Sequence, residues 1–252
     1  NFLLDLNLTG KIARAAGELS TGTTIEIGPG PGGLTRALLG HGAREVIAIE
    51  RDARCRGALG EISAAYPGRL TIVEGDALTV DCATLGSAPR RIVANLPYNI
   101  ATPLIIKWLQ QGPAFASLTV MVQKEVADRL IARPRSKEYG RLSILAQFLS
   151  KPRRLFDLPP RAFVPPPKVT STVIELLPLA EPAFPARLAD LERVTQAAFG
   201  QRRKMLRQSL RSLGGDAEAL LATAEITPTA RAEELTVAQF AALARALEKQ
   251  RS

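Results

Sequence analysis

The chain has 252 residues, 46% of them hydrophobic and 23% charged. That is enough for one large domain and one small one, each with its own core, and too apolar for disorder along most of the length. A net charge of +9 favours a polyanionic partner over an acidic small metabolite. Two cysteines, Cys55 and Cys82, and the single His41 exclude a disulfide framework and a histidine-based metal centre, so no metal is expected and a reducing, cytoplasmic setting fits best. No apolar run approaches the roughly 18 residues of a membrane span. The sequence opens on Asn1 rather than Met, so residues upstream are expected, and no signal peptide is visible.

In chain order, five short β-branched runs read as strands: Thr23–Ile27, Val46–Glu50, Leu70–Glu74, Arg91–Asn95 and Leu118–Val122. Helix-length segments lie between them, among them Leu34–Leu39, Ala53–Ala65 and Pro103–Leu109. This alternation predicts an α/β fold, a mostly parallel sheet with helices on both faces. Arg153–Leu158 and Thr170–Leu176 flank a proline-rich turn and could close the sheet with an antiparallel edge. After Pro178 the texture changes: Glu181–Pro185 is linker-like, and the rest reads as helix and turn. Phe199, Leu206, Leu210 and Leu213 share a face of one expected helix that Gly214-Gly215 stops. A last helix opens on the capping box Thr236–Gln239 and buries Phe240, Leu243 and Leu247. The expected organisation is an α/β domain over 1–178 and a small all-α domain over 179–252, with no internal repeat.

Several motifs sit where open α/β sheets hold ligands, at the carboxyl ends of strands. Gly28, Gly30 and Gly33 follow the first strand in a G-x-G-x-x-G spacing, which alone permits a dinucleotide. Glu26, just before that turn, would repel a pyrophosphate but suits a cationic ammonium. Glu50 ends the second strand, where an acid can hydrogen-bond ribose hydroxyls. Asp76, in Glu74-Gly75-Asp76-Ala77, stands where it can accept from an adenine amine. Asn95-Leu96-Pro97-Tyr98 ends the fourth strand. There Asn95 offers a side-chain carbonyl, Pro97 keeps the Leu96 carbonyl out of a helical ladder, and Tyr98 offers a stacking face. Such a pair of acceptors can hold a planar –NH2 with its nitrogen lone pair free for methyl transfer. Phe163, stiffened by Pro165–Pro167, could be an opposing aromatic wall.

Charge is concentrated. Residues 133–168 carry nine cations, including Arg133, Arg135, Lys137, Arg141, Arg153, Arg154 and Lys168, against two acids. Arg202, Arg203, Lys204 and Arg207 form a second cluster, expected on the outward face of its helix. Both suggest a surface that tracks phosphates.

Together these residues resemble the ribosomal RNA adenine dimethyltransferase family, the small-subunit dimethyladenosine transferases. The likeness runs from Asn1-Phe2-Leu3-Leu4-Asp5 through Glu26–Gly33, Asn95–Ile100, Gln123–Val126, Tyr139–Leu142 and Phe163–Val169 with Ser171, to Phe199–Lys204. The resemblance implies a Rossmann-like methyltransferase sheet plus the small all-α domain, with S-adenosylmethionine as methyl donor. It further implies dimethylation of two adjacent adenines near the 3′ end of small-subunit ribosomal RNA, contributing to ribosome assembly. Cofactor contacts carry over to Asn1, Leu3, Gly28, Glu50, Asp76 and Asn95, with Glu26, Gly30 and Ala77 completing the expected set. Asn95, Leu96, Tyr98 and Phe163 carry over as the target-base site. The expected substrate is the RNA within an immature small ribosomal subunit, and the expected state a monomer. The competing readings are a non-catalytic RNA-binding assembly or transcription factor, a large-subunit ribosomal RNA adenine methyltransferase, an NAD-linked oxidoreductase, and a DNA or protein methyltransferase with an Asn-Pro-Pro-Tyr motif.

Overall fold

The computed structural model describes residues 2, 3 and 5–251. It divides into two compact units: one runs to Ala127 and resumes over Lys151–Ala180, the other comprises Asp128–Ser150 and Glu181 onward. This departs from the expected division at 178/179, because residues 128–150 group with the helical C-terminal part. The boundary falls inside a continuous helix, Lys124–Ile131, where composition marks no linker.

The first unit is built on strands β1 (Phe2–Leu3), β2 (Thr23–Ile27), β3 (Val46–Glu50), β4 (Leu70–Glu74), β5 (Arg90–Asn95), β6 (Ser117–Gln123), β7 (Ser150–Leu158), β8 (Phe163–Val164) and β9 (Ser171–Pro178). Seven of them form one sheet in the order β4-β3-β2-β5-β6-β9-β7. The first five of that order run parallel, and β9 pairs antiparallel with β6, Gln123 opposite Ser171. All five residues of β2 are buried, as an apolar run covered on both faces must be. The chain moves outward from β2 to β4, then returns to β5 on the other side of β2. That reversal opens a crevice at the carboxyl ends of β2 and β5.

Four helices flank this sheet: α1 (Leu6–Ala15), α2 (Gly33–Gly40), α3 (Arg56–Ala65) and α4 (Ala101–Gln110). Ile12, Leu38, Leu59 and Ile62 from α1–α3 join Val46, Val93 and Val173 in one buried cluster, each large side chain contributing about 1.5–3 kcal/mol on burial. The loop entering α2 lies against α3: a Cβ on Gly32, which has φ of 84°, would lie 2.2 Å from Ile62 Cδ1. Helix α1 was not anticipated. Its signal was Asp5, whose carboxylate caps it by accepting from the Asn7 and Leu8 amides at 2.8 and 3.2 Å.

The second unit holds the C-terminal half of α5 (Lys124–Ile131) and all of α6 (Arg141–Leu149), α7 (Leu188–Gly200), α8 (Leu206–Ser209), α9 (Ala217–Thr223) and α10 (Val237–Arg251). Phe199 stacks on Phe240 with ring centroids 5.8 Å apart, and Tyr139 meets Phe199 edge-on at 6.3 Å. The buried Tyr139 hydroxyl donates to the Leu235 carbonyl at 2.8 Å, which ties residues 128–150 to the C-terminal helices. The expected single helix through Phe199 and Leu213 is instead broken. Helix α7 stops at Gly200, residues 201–204 turn, and Met205 bridges to Arg231 before α8 begins. The Leu206 amide donates to Ala230 rather than back along a helix, so tertiary pairing overrides the apolar period. The capping box of α10 forms as expected, with Thr236 and Gln239 exchanging backbone–side-chain bonds at 2.9 and 3.2 Å.

Candidate active site

The glycine turn after β2 is shaped by its own backbone. Gly28 and Gly30 have φ of 63° and 56°, a region that costs side-chain-bearing residues energy. The Gly28 amide donates to Ile49 at 2.9 Å, and a Cβ placed on Gly28 would meet nothing within 4 Å. The turn therefore presents bare backbone to open space. Glu50, at the end of β3, accepts from the Gly30 amide at 3.0 Å and the Asp52 amide at 2.8 Å. Its carboxylate thus locks the glycine turn as well as facing the crevice.

Glu26 is 1% exposed and accepts from the Thr35 hydroxyl of α2 at 2.6 Å. Burial pushes its carboxyl up from the ordinary 4.5 to about 8; the Thr35 hydrogen bond opposes this and the nearby Glu50 charge adds to it. The folded state therefore holds a proton on Glu26 that the unfolded chain releases near 4.5, so this contribution to stability is complete below 4.5 and is lost as pH rises to about 8. The parent protein is expected to lose up to about 1.4 kcal/mol of stability per pH unit in that window relative to Glu26→Gln. Urea midpoints of both proteins between pH 5 and 8 measure it, and parallel pH profiles would refute it.

Strand β5 delivers Asn95 to the rim. The Leu96 amide donates to Met121 of β6 at 3.1 Å, and Ile100 donates to Pro97 at 3.1 Å, closing the turn into α4. Neither the Asn95 side chain nor the Leu96 carbonyl makes a hydrogen bond among the described residues. The Tyr98 hydroxyl lies 2.9 Å from the Ser171 hydroxyl at the start of β9. Phe163, expected as an aromatic wall, is 3% exposed; the pairing that holds it was not legible in the sequence, with β8 antiparallel to β1 and Leu3 opposite Phe163.

These groups line one cavity of about 520 Å³, which brings together Leu3, Glu26, Gly28, Gly30, Glu50, Asn95, Leu96, Tyr98 and Phe163. A second cavity of about 450 Å³ shares Gly28 and Glu50 and adds Asp76, Ala77 and Leu78. Asp76 accepts from the Leu78 amide at 2.9 Å and stands 3.7 Å from the Arg51 guanidinium. Asn1 lies outside the described residues. Asp52, Cys55 and Leu78 also line these cavities without having been singled out. Of the three, only Leu78 carried a signal, an apolar residue just past an acid-ended strand.

The basic stretch 133–168 is divided between the two units. Arg133, Arg135, Lys137 and Arg141 belong to the second unit, whereas Arg153, Arg154 and Lys168 belong to the first. Arg153 pairs at 2.9 Å with Glu175 of β9, an acid outside the stretch, and Arg154 lies 3.9 Å from Asp157, one of the two acids within it. Arg202, Arg203 and Lys204 occupy the turn after α7, not a helix face. Arg202 donates to the Lys137 carbonyl at 3.0 Å, which joins the two basic segments of the second unit. Arg203, Lys204 and Arg207 are exposed.

A carboxylate ahead of the glycine turn and a second acid at the next strand end suit a nucleoside with a cationic tail. That rim, on a sheet of this order, defines a Rossmann-like methyltransferase. The ribosomal RNA adenine dimethylase family matches residues 1–249, and the chain belongs to that family, whose methyl donor is S-adenosylmethionine. It is 66% identical over 248 residues to the ribosomal RNA small subunit methyltransferase A of Rhodospirillum rubrum, covering 98% of this chain and 86% of that one. The protein of the same description in Cereibacter sphaeroides is 57% identical, with 97% and 89% covered. Among solved structures, a dimethyladenosine transferase from Plasmodium falciparum shares the fold at a TM-score of 0.84, with 24% identity and 99% and 98% covered. The 23S rRNA methyltransferase ErmE matches at 0.73, with 28% identity and 98% and 100% covered. No helix among the described residues is long and apolar enough to cross a membrane.

Proposed function

We propose that this chain transfers methyl groups from S-adenosylmethionine to the exocyclic amines of two adjacent adenines near the 3′ end of small-subunit ribosomal RNA. The observation that carries this reading is that Asn95, Leu96, Tyr98 and Phe163 line the same cavity as the glycine turn and Glu50. Its volume of about 520 Å³ lies within the range of small-ligand sites, and the open space at Gly28 lets a ligand reach the backbone. Leu3, Gly28, Gly30, Glu50, Asp76 and Ala77 would hold the donor, and the buried Glu26 carboxyl lies where a methionine ammonium would favour its ionised form. When bound, the donor supplies a methyl group already activated on a sulfonium.

The remaining work is done by the protein. Tyr98 and Phe163 hold the unstacked adenine, each aromatic contact stabilising it by roughly 1–3 kcal/mol. The Asn95 side-chain carbonyl and the Leu96 carbonyl accept the two amine hydrogens, which aims the nitrogen lone pair and excludes water from the reacting atoms. As the nitrogen–methyl bond forms, the methyl–sulfur bond breaks, and the methylated amine gives up one proton to solvent; one hydrogen remains, so a pocket with room for a methyl group permits the second transfer. Arg133, Arg135, Lys137, Arg141, Arg202, Arg203, Lys204 and Arg207 contact phosphates from the second unit, and Lys168 from the first, where Arg153 and Arg154 are held by acids. The protein acts as a cytoplasmic monomer on an immature small subunit, a setting that its basic charge and two free cysteines support.

Titration calorimetry tests the donor. Glu50→Ala is expected to weaken S-adenosylmethionine binding by more than about tenfold, because Glu50 also anchors the Gly30 and Asp52 amides, and Asp76→Ala by about tenfold. Tight binding of NADH with no response to S-adenosylmethionine would overturn the assignment.

A further inference from the structure

Lys107 lies outside every motif the sequence singled out, yet its ammonium is fully engaged. Its Nζ donates to the carbonyls of Val80 at 2.7 Å, Leu78 at 2.8 Å and Ala77 at 3.4 Å. An ammonium has three hydrogens, and all three are spent on one short segment. That segment follows Asp76. The Thr79 and Val80 amides both donate to the Asp76 carbonyl at 2.9 Å, and the Asp76 carboxylate accepts from Leu78 at 2.9 Å. Residues 76–80 are thus one helical turn that does not continue.

A turn that stops leaves carbonyls without partners, and a cation there both satisfies them and opposes their dipoles. Lys107 supplies that cation from α4, the helix that begins just after Asn95–Tyr98. A second tether comes from the same end of α4, where the Gln111 side-chain amide donates to Asp81 at 2.8 Å. Ala77 and Leu78, whose carbonyls Lys107 holds, line the cavity next to Asp76.

We infer that Lys107 is a positioning residue for the donor's nucleoside end, acting by capping the 76–80 turn that presents Asp76, Ala77 and Leu78 to the cavity. The inference rests on the cofactor reading above. Lys107 does not touch the ligand; it fixes the backbone that does. Because the cap comes from α4, the adenine-side loop and the target-amine loop hang from one rigid element.

The test uses the full chain with Lys107→Met, which keeps the apolar stem and removes the donors, and Lys107→Arg, which restores them. Three quantities are compared: the S-adenosylmethionine Kd by calorimetry, kcat at saturating donor on small-subunit particles, and the thermal midpoint. The methionine variant is expected to raise Kd about tenfold with kcat held within about twofold, and the arginine variant to recover most of the affinity. A methionine variant with parental Kd overturns the inference. A loss of kcat at saturating donor that follows the thermal midpoint also overturns it, by assigning Lys107 to general stability. If the methionine variant does not fold, Lys107→Gln takes its place under the same criteria. A parent protein that fails to bind the donor overturns the cofactor reading itself, a result visible in the parent titration alone.

Discussion

Asn95→Ala is expected to lower methyl transfer by at least about a hundredfold while S-adenosylmethionine affinity stays within about tenfold, because removing one positioned polar group typically costs about 10²–10³ in kcat. The side chain makes no hydrogen bond among the described residues, so its removal leaves no protein group unpaired. Its backbone keeps its place in β5 opposite Met121. The fold therefore has little reason to respond, and the effect should fall on the transition state, where the Asn95 carbonyl orients the attacking amine. The signature is a fall in kcat with nearly unchanged KM for the donor. Single-turnover transfer of labelled methyl groups to small-subunit particles measures it, with calorimetry for the donor. Near-parental turnover would remove Asn95 from the mechanism.

Replacing Arg202, Arg203 and Lys204 together with Ala is expected to weaken RNA binding about a hundredfold near physiological salt, because the phosphates these three cations neutralise would keep their counterions. The slope of log affinity against log salt should become shallower by about two to three, using the roughly 0.7 to 0.9 per phosphate found for DNA. Donor affinity should not change, because the turn after α7 belongs to the second unit and the donor cavity is lined by the first. Arg202 is also structural: it donates to Lys137 and lies 3.7 Å from Glu233. An Arg203→Ala, Lys204→Ala pair therefore separates charge from scaffold, since both side chains are exposed. The pair should retain the parental melting midpoint and still flatten the salt slope by about one to two. Filter binding across a salt series decides it. Identical slopes for parent and variants would leave this turn as a solvated surface and confine RNA recognition elsewhere.

Three strands were legible residue by residue, and four more to within a few residues of their ends. Thr23–Ile27, Val46–Glu50 and Leu70–Glu74 stand where their β-branched runs predicted, because a parallel strand needs a local β-branched run and a glycine or acidic turn to end it, whether buried as the first two are or at the sheet edge as the third is. Local alternation called for parallel strands joined by crossovers, whereas the order β4-β3-β2-β5-β6-β9-β7 was set by the tertiary structure. Glu26, Glu50 and Asn95 reach the crevice for the same reason: each lies at or near the carboxyl end of a legible strand.

What the sequence by itself determined is thus the main strands, the ligand rim at their carboxyl ends and the residue types along it. Tertiary structure alone decided the rest. Leu3 and Phe163 meet in a two-residue ribbon, too short to show any period. The apolar run from Phe199 to Leu213 breaks at Gly200 because Leu206 finds a partner in Ala230. Residues 128–150 join the helical unit through Tyr139, Phe199 and Phe240. Arg153 is paired by Glu175, an acid that the linear charge count set apart. The division has a single cause. Strands and caps are set by neighbours within a few residues, whereas these outcomes depend on partners brought close only when the chain folds, and local propensity carries no information about which distant group will compete for a backbone amide or a charge.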